Sequence, residues 1–170
     1  TRVIMGINPD GFGWHLDPGE HFEAPEAVTV YTNEGIGEMS RIFHRLYTKH
    51  LFNGKWKDIK RPLLINNWEA TGMEFDGDTI VSFAKKAKEL GIEMLVMDDG
   101  WFGHRDDDTS SLGDWQVNEE KLGGSLAYLI ERINALGMKF GIWYEPEMIS
   151  RDSALYRAHP DWCIHVPGRE

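Results

Sequence analysis

Glu93-Met94-Leu95-Val96-Met97-Asp98-Asp99-Gly100-Trp101-Phe102-Gly103 decides the fold. A short apolar run, too brief for a helix and flanked by glycines, delivers two adjacent carboxylates into a Gly-Trp turn, which is how a buried parallel strand ends in a binding site. Neighbours in an extended strand point to opposite faces, so Asp98 and Asp99 serve one ligand only where the strand gives way to a loop. Gly100 permits that change of direction. An Asp-Asp-Gly turn with both carboxylates in solvent fits the same letters, and the segments on either side decide between the two.

The pattern of strand, loop and helix repeats from Arg61 onward. Leu63 to Trp68 reads as a buried strand with polar and aromatic residues at its C-terminal end. Asp78 is expected to cap a helix over Thr79 to Leu90, with Ile80, Phe83, Ala84 and Ala87 on one face and Gly91 as the stop. The second strand, Ile92 to Met97, ends in the aspartate pair. A long loop, Gly100 to Gly124, carries Trp101, Trp115, His104, Arg105 and a run of aspartates, Asp106 to Asp108; of these His104, Arg105 and the aspartates read as solvated and locally paired. Ser125 to Leu136 is the next helix, closed by Gly137. Lys139 to Tyr144 is the third strand, with Glu145-Pro146-Glu147 at its end, and Ser150 to His159 is a shorter helix broken by Pro160.

Three successive βα units with helical crossovers specify a parallel sheet with helices outside it. Each strand releases its unusual residues at its C-terminal end: Asn66, Asn67, Trp68 and Glu69, then Asp98, Asp99 and Trp101, then Trp143, Glu145 and Glu147. That is the layout of the first three units of a (β/α)8 TIM barrel, whose C-terminal rim carries the site. A doubly wound nucleotide-binding sheet would want a glycine-rich phosphate loop after its first strand, and Asn66-Asn67-Trp68-Glu69-Ala70 is not one.

Upstream, Thr1 to Ile7 and Glu23 to Tyr31 are strand-like, separated by the turns Asn8 to Gly13 and Asp17 to Glu20. They read as the last hairpin of a β-sandwich domain over residues 1–32, and a hairpin is not stable alone. The chain is therefore expected to be a piece of a longer protein. Asn33 to Leu51 switches to helical spacing, with Ile36, Met39, Ile42, Phe43, Leu46 and Tyr47 on one face and Asn33 as expected N-cap. Residues 33–60 are read as helix and linker, and residues 61–170 as the first part of the barrel.

The net charge of -10 argues against nucleic acid or an anionic membrane as a partner. One cysteine, Cys163, excludes an internal disulfide and fits a reducing compartment, so a cytoplasmic setting is expected. No apolar run approaches the roughly 20 residues needed to cross a bilayer. His44 and His50 lie six residues apart on their helix and share no face, so no metal site is expected. Tryptophan is abundant; indole faces suit the apolar faces of sugar rings, and they also fill cores.

Asn66-Asn67-Trp68-Glu69-Ala70-Thr71, Met97-Asp98-Asp99-Gly100-Trp101-Phe102-Gly103, Gly113-Asp114-Trp115, Gly141-Ile142-Trp143-Tyr144-Glu145-Pro146-Glu147-Met148 and His159-Pro160-Asp161-Trp162 together, in this order, resemble the motifs of the bacterial glycoside hydrolase family 36 α-galactosidases. The resemblance implies a multidomain retaining enzyme with an N-terminal β-sandwich, a central barrel and a C-terminal β-domain. It also implies release of terminal α-galactose from melibiose and raffinose-type oligosaccharides, a tetrameric assembly, and neither metal nor cofactor.

By the resemblance, Asp98 and Asp99 accept hydrogen bonds from galactose hydroxyls while Trp68 and Trp143 wall the pocket, with Trp101 and Trp115 as lesser candidates. The chemistry agrees, since carboxylates take hydroxyl protons through charge-assisted hydrogen bonds and indoles cover the apolar sugar face. Barrel core is the competing reading of Trp143, and its place at the strand's end favours the pocket wall. The family's nucleophile, in a Lys-Trp-Asp motif, and its acid/base aspartate are expected beyond Glu170, so no catalytic residue is assigned within the chain. Gly72 stands where the family usually has tyrosine, which leaves the preference for the rest of the substrate open. A galactosyltransferase of the raffinose or stachyose synthase type and a non-catalytic carbohydrate-binding module are the alternatives.

Overall fold

Leu64–Asn66, Met94–Met97 and Lys139–Ile142 form strands β1, β2 and β3 of one sheet, in that spatial order and all parallel. The computed structural model describes residues 2–166, 168 and 169. Ile65 pairs with Leu95 and Leu95 with Phe140, so these three share a face. Asn66, Val96 and Gly141 form the next rank, on the opposite face. The ladder runs one step past the named strands, where the Trp143 amide donates to the Met97 carbonyl at 2.8 Å.

Two helices cover the first face. In α3 (Gly77–Glu89), Ile80, Val81, Ala84 and Ala87 recur at helical spacing and are buried. In α5 (Leu126–Ala135), Leu129 and Ile133 sit one turn apart and are buried too. They close over Leu95 and Met97, both 0% exposed, and Phe102 and Leu122 complete the core. Ser125 caps α5 by accepting the Tyr128 N–H, and Gly137 follows with a positive φ of 70°. The cap of α3 is Asp76 rather than the expected Asp78. Asp76 has the extended backbone a cap requires and accepts both the amide and the hydroxyl of Thr79, at 2.7 and 2.8 Å. Asp78, now inside the first turn, pairs with Arg132 at 2.6 Å.

The strands are shorter than the apolar runs suggest, because the chain turns as soon as the ladder ends. Trp68–Thr71 is a single helical turn, α2, directly after β1. The loop after β2 contains another, α4 (Glu119–Leu122), capped by Asn118. Beyond β3, α6 (Ala154–Ala158) is capped by Ser153, and a 3-10 turn, Pro160–Trp162, follows.

The chain divides into two units, Thr1–Lys60 and Arg61–Glu170. In the first, α1 (Gly35–Leu46) continues into a π turn, Tyr47–Leu51. Asn33 does not cap it; Glu34 occupies that place without a side-chain cap bond. Arg45 and Arg41 grip Glu38 and hold its carboxyl below the usual carboxylate range. The expected hairpin is absent: among described residues 2–33 no strand forms, and Thr1 lies outside the described residues. The two turns are present, closed by Phe12 N–H to Pro9 O and Glu20 N–H to Asp17 O. The segments flanking them have no apolar face to pack on, and Ile4 and Tyr31 remain 80% and 89% exposed. No helix among the described residues is long and apolar enough to cross a membrane.

The Asp76 cap gives a pH-dependent prediction. Its hydrogen bonds from Thr79 lower the folded-state pKa, so its contribution is present above the unfolded carboxyl range and fades as pH falls through the folded value. In the full-length protein, Asp76→Ala is expected to cost about 1 kcal/mol near neutral pH. Thermal melts should show that gap shrinking as pH falls below the unfolded carboxyl range, and a gap undiminished in acid would contradict the assignment.

Candidate functional site

Parallel pairing puts the C-terminal ends of all three strands on one edge of the sheet. Trp68 stands two residues beyond the end of β1, Asp98 and Asp99 follow β2 directly, and Trp143 follows β3. The register sets Asp98 beside Trp143, since Met97 pairs with Ile142. The first strand's Asn-Asn pair ties these tips together. Asn66 donates its side-chain amide to Asp98 Oδ2 at 2.8 Å while its own Oδ1 accepts the Trp68 N–H at 3.2 Å. Asn67, fully buried, accepts the Asp98 N–H on Oδ1 at 2.9 Å and donates Nδ2 to Thr71. One dipeptide therefore sets both the indole-bearing turn and the backbone of the first aspartate.

The two carboxylates have different surroundings. Asp98, 8% exposed, is held by amides: Asn66 on Oδ2 and the Asp99 N–H on Oδ1 at 2.8 Å. Asp99 is gripped by Arg105, whose Nε reaches both carboxylate oxygens at 3.1 Å and whose Nη2 reaches Oδ2 at 2.9 Å. Arg105 is 4% exposed, so the expectation of a solvated loop fails at this residue. The expectation holds for its neighbours. His104 and Asp106 to Asp108 are exposed, with Lys121 on Asp106 and Thr109 bonded to Asp107, whose pKa is lowered by that contact. Gly100 explains how the chain turns so tightly after the pair. Its φ is +106°, and a Cβ there would meet Met73 at 3.2 Å and Phe75 at 3.3 Å.

The indoles divide as well. Trp68 is exposed at the rim. Trp143 is half-buried against the core and receives the Trp101 Nε1–H on its carbonyl at 3.0 Å. Trp101 itself is 4% exposed and packs edge-on against Phe102, so it belongs to the core rather than to an open wall. Trp115, from the long loop, lies over Tyr144 with ring centres 4.0 Å apart and reaches Trp143 at 6.3 Å. The loop after β2 thus folds across the end of β3.

Side-chain polarity fastens that loop. Asp114 accepts the Ala154 and Leu155 N–H groups at 2.6 and 3.0 Å, Leu112 N–H donates to Ser150 Oγ, and Ser111 N–H donates to the Asp152 carbonyl. His104 and Arg157 beside Asp152 hold its carboxyl below the usual range. Ser111 is fully buried at φ +65°, a conformation that costs a non-glycine residue about 1–2 kcal/mol and persists because the surrounding bonds impose it. Among the described residues no group of three His, Cys, Asp or Glu side chains is placed to hold a metal ion. A depression of about 660 Å³ lined by Arg151, Tyr156, Asp161 and His165 contains none of the strand-tip residues.

The melibiase family model matches residues 21–170. The chain is 56% identical over 169 residues to the α-galactosidase AgaA of Geobacillus stearothermophilus, covering 99% of this chain and 23% of that one. It is 55% identical over 170 residues to the bifunctional α-galactosidase/sucrose kinase AgaSK of Mediterraneibacter gnavus, covering 100% of this chain and 18% of that one. A crystal structure of a variant of the Geobacillus enzyme with raffinose superposes with a TM-score of 0.90 at 55% identity, over 97% of this chain and 23% of that one. The chain thus spans about a quarter or less of the length of these relatives.

The unequal carboxylates make a stability prediction. In the full-length protein Asp99→Ala strands a buried guanidinium and is expected to cost about 3–5 kcal/mol. Asp98→Ala leaves only amides to rearrange and is expected to cost about 1–3 kcal/mol. Thermal or denaturant unfolding that ranks the two the other way would contradict the pairing.

Proposed function

Because the chain belongs to the melibiase family, we propose that it is the galactose-recognition segment of a retaining α-galactosidase that hydrolyses terminal α-galactose from melibiose, raffinose and related oligosaccharides. Asp98 and Asp99 accept sugar hydroxyls, and Trp68 and Trp143 wall the pocket against the apolar ring face. Trp115 supports Trp143 from behind, and Trp101 fixes its backbone. The segment from 61 to 170 is the start of the catalytic (β/α)8 barrel and residues 33–60 are the helix and linker before it, while residues 1–32 would take up strand structure only against the partner strands of an N-terminal β-sandwich domain.

The observation that carries this reading is the convergence of Trp68, Asp98 and Trp143 at one edge of three adjacent parallel strands. That edge is where barrel enzymes bind substrate. A neutral polyol needs acceptors for its hydroxyl protons and flat carbon for its ring, and these residues supply both. The relative crystallised with raffinose supports the substrate class.

The pair at 98 and 99 is not assigned to bond cleavage. A retaining glycosidase places its nucleophile and its acid/base on either side of the scissile bond, about 5 Å apart. Asp99 is committed to Arg105, and Asp98 sits beside it on the same strand end. The two catalytic aspartates are therefore proposed to come from elsewhere in the full-length polypeptide.

Loss of Asp98 should remove hydroxyl contacts that strengthen as charge develops on the sugar. Asp98→Ala in the full-length enzyme is expected to lower kcat/KM for p-nitrophenyl α-galactoside by about 100-fold or more, roughly 3 kcal/mol. An unchanged kcat/KM would remove Asp98 from the site.

A further inference from the structure

We infer that Arg105 is a positioning residue for the sugar site, aiming both aspartates through one continuous set of hydrogen bonds; the inference rests on the galactose-recognition reading above. The set starts in the loop. Ser110 O accepts Arg105 Nη1–H at 2.9 Å, Ser110 Oγ donates to the His104 carbonyl at 3.1 Å, and Ser111 Oγ accepts the His104 N–H at 3.1 Å. Ser111 is in turn fixed by its N–H to the Asp152 carbonyl at 2.8 Å. The guanidinium is thereby seated from behind by a buried turn that is bonded to the segment before α6.

From that seat Arg105 fixes the Asp99 side chain, and the Asp99 N–H fixes Asp98 Oδ1. The donors also determine which acceptor positions stay open. A carboxylate has about four lone-pair sites. On Asp99, Oδ2 takes two guanidinium N–H contacts and Oδ1 takes one, so Oδ1 keeps the free position. On Asp98 each oxygen takes a single amide donor, Asp99 N–H on Oδ1 and Asn66 on Oδ2, and each keeps one. Three acceptor positions on two adjacent residues, with directions fixed by rigid donors, suit a polyol with several neighbouring hydroxyls.

Charge points the same way. Two adjacent carboxylates repel each other, and a neutral sugar does nothing to relieve that repulsion. Arg105 leaves the pair with one net negative charge while its planar fork holds the second carboxylate in a single orientation. Lysine would keep the charge and lose the fork.

The test uses the full-length enzyme with p-nitrophenyl α-galactoside as substrate and galactose as inhibitor. Arg105→Lys is expected to keep the wild-type melting temperature within a few degrees, to raise KM and the galactose inhibition constant together, and to lower kcat/KM about tenfold or more. Asp99→Asn combined with Arg105→Met, a neutral pair of similar size, is expected to be no worse than Asp99→Asn alone, because the arginine acts only through that carboxylate. Wild-type KM and inhibition in Arg105→Lys, or losses that multiply in the double variant, would overturn the inference. Should the double variant fail to fold, the Arg105→Lys kinetics decide by themselves. Wild-type enzyme that neither hydrolyses the substrate nor binds galactose in calorimetry would overturn the underlying reading and the inference together, whereas active wild type with an indifferent Arg105→Lys overturns the inference alone.

Discussion

Because Met94–Met97 pairs in parallel with Leu64–Asn66 on one side and Lys139–Ile142 on the other, the chain leaves every strand at the same edge of the sheet. An antiparallel partner on either side would send one of Trp68 or Trp143 to the opposite edge from the aspartates. Parallel pairing in turn needs a crossover between each pair of strands, and α3 and α5 supply it. Their apolar faces close over Leu95 and Met97, which anchors the central strand by burying side chains worth about 1.5–3 kcal/mol each. The rim is thus a consequence of the core, and the site inherits its position from the register.

At the rim the energetic problem changes from burying carbon to burying polar groups. Asn67, Asp99, Arg105 and Ser111 are all nearly or fully enclosed. Each of them is bonded, and among the described residues no buried side-chain nitrogen or oxygen lacks a partner. An enclosed ion pair such as Asp99 with Arg105 contributes little net stability against an apolar pair of the same size, because desolvation offsets most of the attraction. Its retention makes physical sense as geometry: a bidentate grip holds a carboxylate more tightly in orientation than a solvated one could be held. The left-handed Ser111 beside it is a second local cost in the same loop.

The sequence carried the elements of the second unit in its apolar periods and in the glycines and prolines that end them. Three βα repeats and the placement of Trp68, Asp98, Asp99 and Trp143 at strand ends were legible because those signals are local. Boundaries were less so. Asp76 outcompetes Asp78 as a cap because only Asp76 has extended backbone, a feature settled by how the chain leaves Phe75. The hairpin in the first unit failed for a related reason, since alternation and turns mark strand propensity but not the presence of a pairing partner. Arg105 is hidden at the level of sequence because a guanidinium among aspartates looks like surface charge. The signal that could have found it is spacing: an arginine six residues beyond Asp99, across a loop opened by Gly100 and Gly103, can fold back onto the carboxylate it follows. Trp101 was equally opaque, since an indole in a loop reads alike whether it faces solvent or the core.

The proposed sugar cup is built from unlike parts: amide-held Asp98, arginine-held Asp99, and indoles at the flanking strand ends. A crystal structure of the full-length protein with galactose tests that directly. The account predicts sugar hydroxyls at about 2.6–2.9 Å from the carboxylates of Asp98 and Asp99, with Trp68 and Trp143 against the ring. Galactose bound with both carboxylates out of contact, or with neither indole touching it, would contradict it.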